Sequence, residues 1–260
     1  MPFAFISGAT GGIGKAFTLE CARQGFDLFL TGRSTDKLTE LKNQVASIYP
    51  INVLTYACDL TSDAEIQSMI DYMLENGVRF KRILNVAGVD TQKAFLDYTL
   101  QKVLFQINVN AKATISLTHQ LLKISDGAEV LTVSSMSGVS PMPYFALYSA
   151  TKAMLTNFFT ALHYELKPEG VKVTTVLPGG VYTREDIVED IKNQGLWGKL
   201  SAKSPEFVAK KSLKALQKNK VKYIPGGFNK FLNFIMKLLP KGLVLRFIAR
   251  RWKKQTKDAF

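Results

Sequence analysis

The sequence predicts an α/β fold: a single doubly wound domain with a seven-stranded parallel sheet flanked by helices, followed by a basic amphipathic C-terminal tail. Three observations lead there. Short apolar β-type runs alternate with longer segments of i, i+3, i+4 apolar spacing. A glycine-rich turn joins the first strand to the first helix. The charge is divided: residues 1–198 hold 17 Lys/Arg and 19 Asp/Glu, whereas residues 199–260 hold 17 Lys/Arg and only Glu206 and Asp258. A chain of 260 residues, 47% of them apolar, can bury one large core without disulfides or metals. Cys21 and Cys58 lie in apolar segments and read as buried thiols of a reducing compartment. His119 and His163 have no partners at zinc-ligand spacing, so no metal is expected.

Taken in order, strands are expected at 3–7, 26–31, 52–57, 82–86, 128–134, 171–177 and 221–224. Helices are expected at 13–24, 35–49, 62–76, 100–124, 148–167 and 204–218. The strands are near-continuous apolar runs, as strands covered on both faces should be. Ser62-Asp63-Ala64-Glu65 resembles a capping box, and Ser204-Pro205-Glu206 places proline at the first helical position. No linker interrupts this pattern, so the sheet domain takes residues 1–225 and the tail 226–260.

The first strand ends in Ser7-Gly8-Ala9-Thr10-Gly11-Gly12-Ile13-Gly14. Glycines suit a tight turn whose backbone must approach a pyrophosphate, and the helix that follows aims free N–H groups at that anion. After the second strand comes Thr31-Gly32-Arg33-Ser34, with no acid in the turn to hold a ribose 2′-hydroxyl. A guanidinium there would pair with a 2′-phosphate, which favours NADP(H) over NAD(H).

Tyr148 and Lys152 share one face of a helix. An ammonium held beside a phenol favours the phenolate. Depressing the phenol by about three pH units takes roughly 4 kcal/mol of preferential interaction and yields a group that exchanges protons near neutrality. Ser135 stands thirteen residues earlier, at the carboxyl end of a strand. The glycine turn and Asn85-Val86-Ala87-Gly88 belong to the same sheet edge, where ligands of open α/β sheets bind.

With these residues in order, the chain from residue 2 to about 225 resembles the short-chain dehydrogenase/reductase family. The matches are the glycine turn, Asp59-Leu60, Asn85-Val86-Ala87-Gly88, Asn110, Ser135, Tyr148 to Lys152, and Pro178-Gly179 to Thr183. Asn108 competes with Asn110 for the helix asparagine, and the spacing to Leu121-Leu122 favours Asn110. The resemblance implies a Rossmann-type domain and a set of roles. Tyr148 would be the general acid in reduction or the base in oxidation. Lys152 would lower its pKa and hold the nicotinamide ribose, Ser135 would bind the substrate oxygen, and Asn110 would hold a water. Asp59 would contact adenine and Thr183 the carboxamide. Gly8, Thr10, Gly11, Gly12, Ile13, Gly14, Leu60, Asn85, Ala87, Gly88, Pro178, Gly179 and Val181 would complete the cofactor site. Asn85 would also keep the role of locking the backbone where Val86 replaces the family's second asparagine.

The resemblance makes the loop from Met136 to Tyr144, and the segment after Pro178-Gly179, walls of a substrate pocket. Their apolar side chains suit a small hydrophobic ketone or alcohol such as a steroid, bile acid or acyl chain, or else Met142 and Tyr144 merely pack under a loop. The expected function is NADP(H)-dependent interconversion of such a ketone and its secondary alcohol. The alternatives are reduction of a 3-oxoacyl thioester and a non-catalytic nucleotide-sensing scaffold. Residues 184–200 read as a lid. In the tail, two segments of about twelve residues place apolar rows against Lys and Arg, suited to packing on the domain, lying on a membrane or covering the pocket. Without a leader or spanning segment, the expected location is cytoplasmic, with peripheral membrane contact through the tail. A homodimer or homotetramer is expected through the helices at 100–124 and 148–167, and no nucleic-acid partner.

Overall fold

The computed structural model describes residues 1–125, 127–183, 187–189, 191 and 195–253. Of the stretch read as a lid, 184–186, 190 and 192–194 lie outside the described residues, as do Lys254 and Asp258 of the tail.

Among the described residues, seven strands form one sheet: β1 Phe3–Ser7, β2 Asp27–Gly32, β3 Val53–Ala57, β4 Phe80–Asn85, β5 Glu129–Val133, β6 Lys172–Val176 and β7 Lys222–Tyr223. All neighbours are parallel, in the order β3-β2-β1-β4-β5-β6-β7. Because β1 lies between β2 and β4, the chain reverses its direction of travel across the sheet after β3. The carboxyl ends of β1 and β4 flank that switch point, where ligands of doubly wound sheets bind.

The helices follow the expected order: α1 Gly12–Arg23, α2 Thr35–Ala46, α3 Asp63–Glu75, α4 Leu100–Ile107, α5 Ala113–Lys123, α6 Ala146–Glu165, α7 Gly195–Ser201, α8 Pro205–Gln217, α9 Gly227–Leu238 and α10 Lys241–Trp252. Their inward residues build two cores. Phe17, Leu38, Leu41, Leu213 and Leu216 bury one face of the sheet, and Met69, Met73, Leu117, Leu155 and Phe159 the other. Phe5, Phe29 and Phe80 meet edge-on or offset within the second core, with centroids 5.8–6.2 Å apart.

Two local readings are corrected. The single helix expected at 100–124 is interrupted by a π-helical turn, Asn108–Lys112, which rotates Asn110 inward. The capping box at Ser62 is half made. Ser62 accepts from the Glu65 N–H at 3.2 Å, but the Glu65 carboxylate accepts from the Asp59 N–H at 2.8 Å instead of that of Ser62. That second bond ties the turn after β3 to α3. At α8, Ser204 caps the helix with Pro205 at its first position, as the sequence indicates. Cys21 and Cys58 are both buried and free.

Candidate active site

The carboxyl ends of the strands open on a cavity of about 580 Å³. Its glycine wall has no room for side chains. Gly8 has φ +65°, and a Cβ there would stand 2.8 Å from the Ala87 Cα. A Cβ at Gly12 would meet Thr183 at 2.9 Å, and one at Gly14 would run into the Gly8 carbonyl. Helix α1 begins here with no capping side chain and no acid in its first turn, so its leading N–H groups and dipole are left for an external anion. A pyrophosphate-bearing cofactor fits this bare backbone. Thr10, Gly11, Ile13, Asp59, Leu60, Ala87, Gly88, Pro178, Gly179 and Val181 also line the cavity. Arg33 lines it too, with an exposed side chain, just past the end of β2. The Asp59 carboxylate is held there by the Thr61 N–H and hydroxyl at 2.9 and 2.8 Å. Cys58 is an inert part of the wall, since burial pushes its thiol up to about 12.

Asn85 does not reach the cavity. It is buried behind it, and its amide donates to the Thr118 and Thr132 hydroxyls at 2.8 and 3.1 Å, tying β4 to α5 and β5. The backbone after β4 is locked by Ser7, whose Oγ accepts from the N–H groups of Val86 and Ala87 at 3.1 and 3.2 Å. The hydroxyl at the end of β1 thus performs the task expected of Asn85. Asn110 is fully buried, and its side chain is engaged as well. Oδ1 accepts from the Val89 N–H and Nδ2 donates to the Val89 carbonyl, both at 2.8 Å, with a further bond to the Thr151 hydroxyl at 3.2 Å. An amide so occupied fixes the strand-end loop against α6; its side chain has little left with which to hold a water.

Ser135, Tyr148 and Lys152 meet at the end of β5. The Ser135 Oγ accepts from the Ser137 N–H at 3.0 Å, and the Ser135 hydroxyl favours the ionised form of the Tyr148 phenol. The turn at 136–138 lies directly on α6, where a Cβ on Gly138 would stand 2.7 Å from the Lys152 carbonyl carbon. Ser134 reinforces the contact by donating to the Lys152 carbonyl at 2.7 Å. Lys152 is buried; its Nζ donates to the Val133 carbonyl at 2.9 Å and lies 5.7 Å from the centre of the Tyr148 ring.

The electrostatics differ from the sequence expectation. Burial and the Asp90 carboxylate push the Tyr148 phenol above its ordinary value, against the opposing bond from Ser135. Burial pushes the Lys152 ammonium down to about 8, with Asp90 opposing. Lys152 donates to a backbone carbonyl, and burial prevails over any stabilisation of the phenolate, so in the protein alone Tyr148 is a protonated acid at neutral pH.

The family model for short chain dehydrogenases matches residues 2–193. The chain belongs to the short-chain dehydrogenase family. It is thereby an oxidoreductase of CH–OH groups built on a nicotinamide-binding fold. Among its relatives, a very-long-chain 3-oxoacyl-CoA reductase of Bos taurus is 34% identical over 225 residues, 82% of this chain and 68% of that one. The mouse enzyme of the same name is 33% identical, with the match spanning 60% of its length. Sulfoacetaldehyde reductase 2 of Chromohalobacter salexigens is 32% identical over 70% of this chain and 74% of its own. In fold, a solved 7β-hydroxysteroid dehydrogenase superposes with a TM-score of 0.87 at 24% identity, covering 95% of this chain and 96% of that one.

Against this family background, the reading from sequence missed several residues that shape the site. Asp90 lines the cavity and acts on both Tyr148 and Lys152. Phe145 stacks on the Tyr148 ring at 4.5 Å, and Trp252, from the far end of the tail, stacks on Phe145 at 5.7 Å and also lines the cavity. The loop residues divide: Met136 and Ser137 line this cavity, whereas Pro143 and Tyr144 line a second one of about 270 Å³. The one available signal was the run Pro143-Tyr144-Phe145 before a helix with no polar cap. Tyr144 takes a φ of +63°, unusual for a bulky residue, immediately before the stacked Phe145.

Proposed function

We propose that this short-chain dehydrogenase uses NADP(H) to interconvert a hydrophobic ketone and its secondary alcohol, with Tyr148 as the proton-transfer group. The observation that carries the reading is that the Tyr148 phenol and the Ser135 hydroxyl line the same cavity as Arg33. The strands bearing Ser135 and Arg33 are three sheet spacings apart, about 14 Å, which suits a long dinucleotide lying across the edge. Arg33 favours a 2′-phosphate over a bare hydroxyl. Phe105, Met136, Phe145, Ile191 and Trp252 give the cavity that Tyr148 lines an apolar portion of wall.

A bound nicotinamide supplies the hydride. The chain's own residues do the rest. Ser135 and Tyr148 bind the carbonyl oxygen, Tyr148 hands it a proton as negative charge develops, and the apolar wall excludes water. Lys152, when charged, stabilises the phenolate left behind. With its ammonium pushed down to about 8, reduction should fall as pH rises past that value.

A second reading, reduction of a 3-oxoacyl thioester, is supported by the 34% identity to the bovine reductase and by a basic tail suited to an anionic carrier. Cofactor oxidation with NADPH and NADH over bulky ketones, 3-oxoacyl thioesters and small ketones tests both. The expected result is at least about tenfold higher kcat/KM with NADPH, and bulky apolar ketones as the best substrates. Thioesters as the best substrates would replace the first reading by the second, and turnover of neither class would remove both. Self-association belongs to the same proposal: Leu100 and Leu104 on α4 and Met154 and Phe158 on α6 are exposed apolar side chains suited to a second copy.

A further inference from the structure

Residues 227–253 contain seven Lys/Arg and no Asp/Glu. They fold as α9 and α10, twelve residues each, joined through Leu239-Pro240. Each helix has an inner and an outer face. The inner one is engaged: buried Asn229 donates to the Ser201 and Pro225 carbonyls at 2.8 and 3.0 Å, and Val244 and Ile248 are buried one turn apart. Trp252 continues that row into the main cavity. The outer face is open. Phe231, Phe234 and Leu238 on α9, at i, i+3, i+7, and Leu243 and Phe247 on α10, at i, i+4, are 58–65% exposed. Lys230 and Lys237 flank the first row, and Arg246 and Arg250 share the face of the second, all with exposed side chains.

We propose that this outer face docks on the surface of an anionic lipid bilayer. No helix among the described residues is long and apolar enough to cross a membrane, but rows of aromatic and leucine side chains edged by cations are what an interfacial helix presents to lipid. The apolar rows enter the acyl boundary while the cations meet acidic headgroups. A second copy is a poor occupant, because apposing the same face sets Lys230, Lys237, Arg246 and Arg250 against their own counterparts, with no Asp or Glu in either helix. The contrast with the apolar residues of α4 and α6 is one of charge: only the tail couples its apolar face to a field of one sign.

The same helix that would rest on lipid also walls the interior. Trp252 lines the main cavity, and Ala249 lines the second, with Phe95, Tyr98 and Tyr144. An apolar substrate could therefore pass from the bilayer along α10 to Tyr148. That route rests on the ketone reading; the docking face does not.

The test is co-sedimentation of the full chain with vesicles of phosphatidylcholine alone and of equal parts phosphatidylcholine and phosphatidylglycerol. Binding is expected on the mixed vesicles, at least about tenfold weaker on the neutral ones, and reduced by salt. Phe234→Ser with Phe247→Ser, and separately Arg246→Glu with Arg250→Glu, should each weaken it by roughly tenfold or more. Lys37→Glu, on the distant α2, should not. Melting temperature and NADPH binding, followed in the same variants, are expected to stay unchanged and do not depend on the substrate. No binding of the unaltered chain to anionic vesicles would overturn the proposal, as would equal loss with Lys37→Glu. A dimer mass that becomes monomeric in the Phe234→Ser, Phe247→Ser variant would reassign the face to a second copy.

Discussion

At the amino ends of the strands the charged groups of this protein face one another, and at the carboxyl ends its polar groups face a cavity. Arg82, at the start of β4, is almost fully buried; it meets Glu129 of β5 at 2.6 and 3.1 Å and Gln24 at 3.0 Å, and lies over the Phe26 ring at 4.2 Å. Lys172 of β6 adds a second partner to Glu129 at 3.1 Å. Burial pushes the Glu129 carboxyl up, but the bonds and charge of Arg82 and Lys172 carry it below its ordinary value. At the other end, Ser7 and Asn110 hold backbone, while Tyr148 and Arg33 are aimed at the cavity. One sheet therefore separates polar groups that complete the protein from those that await a ligand, and the two ends should fail differently when altered.

The largest effect is expected at the carboxyl end. Tyr148→Phe removes only the phenolic hydroxyl from a ring still stacked on Phe145, so turnover should fall by roughly 10³-fold or more, with cofactor affinity and melting temperature unchanged. Retained turnover with bound cofactor would take proton transfer away from this residue. The next effect is expected at the amino end and in stability alone. Arg82→Met leaves Glu129 buried without its main partner and should cost about 3 to 5 kcal/mol in urea unfolding. The same variant should turn over normally while folded. If Arg82→Met depresses turnover at temperatures where it remains folded, the two ends are coupled and the contrast is broken.

How far the site could be read in the sequence follows the same division. Strand order of appearance, the glycine turn and the Tyr148-Lys152 face are local patterns, fixed by period and spacing, and they are found where those patterns place them. What spacing does not reveal is which partner a polar side chain selects across the fold. Nothing local shows that Ser7 locks Val86 and Ala87 while Asn85 turns to Thr118 and Thr132. Nor does it show that Lys152 would find the Val133 carbonyl and leave the phenol undepressed, because desolvation depends on the whole surrounding wall. The π-helical turn at Asn110 was invisible for the same reason: the apolar period of 100–124 continues through it.

Trp252 gives the smallest effect and the finest test, since it lies 104 residues after Tyr148 in sequence yet belongs to the same stack through Phe145. If the tail only packs on the domain, truncating this ring should alter stability and leave kinetics alone. If the ring is a wall of the substrate space, Trp252→Ala should raise KM for a bulky apolar ketone by about tenfold, roughly 1.4 kcal/mol of binding, with kcat little changed. A small ketone, which does not fill the wall, should show no such rise. Trp252→Phe keeps an aromatic face against Phe145 and should restore most of the lost affinity. Because hydride and proton transfer are left to groups other than Trp252, a fall in kcat for both ketones would mean that losing the ring disturbs Phe145 and, through it, Tyr148. That result would make the tail part of the positioning of the acid, and the boundary between sheet domain and extension would no longer separate catalysis from its cover.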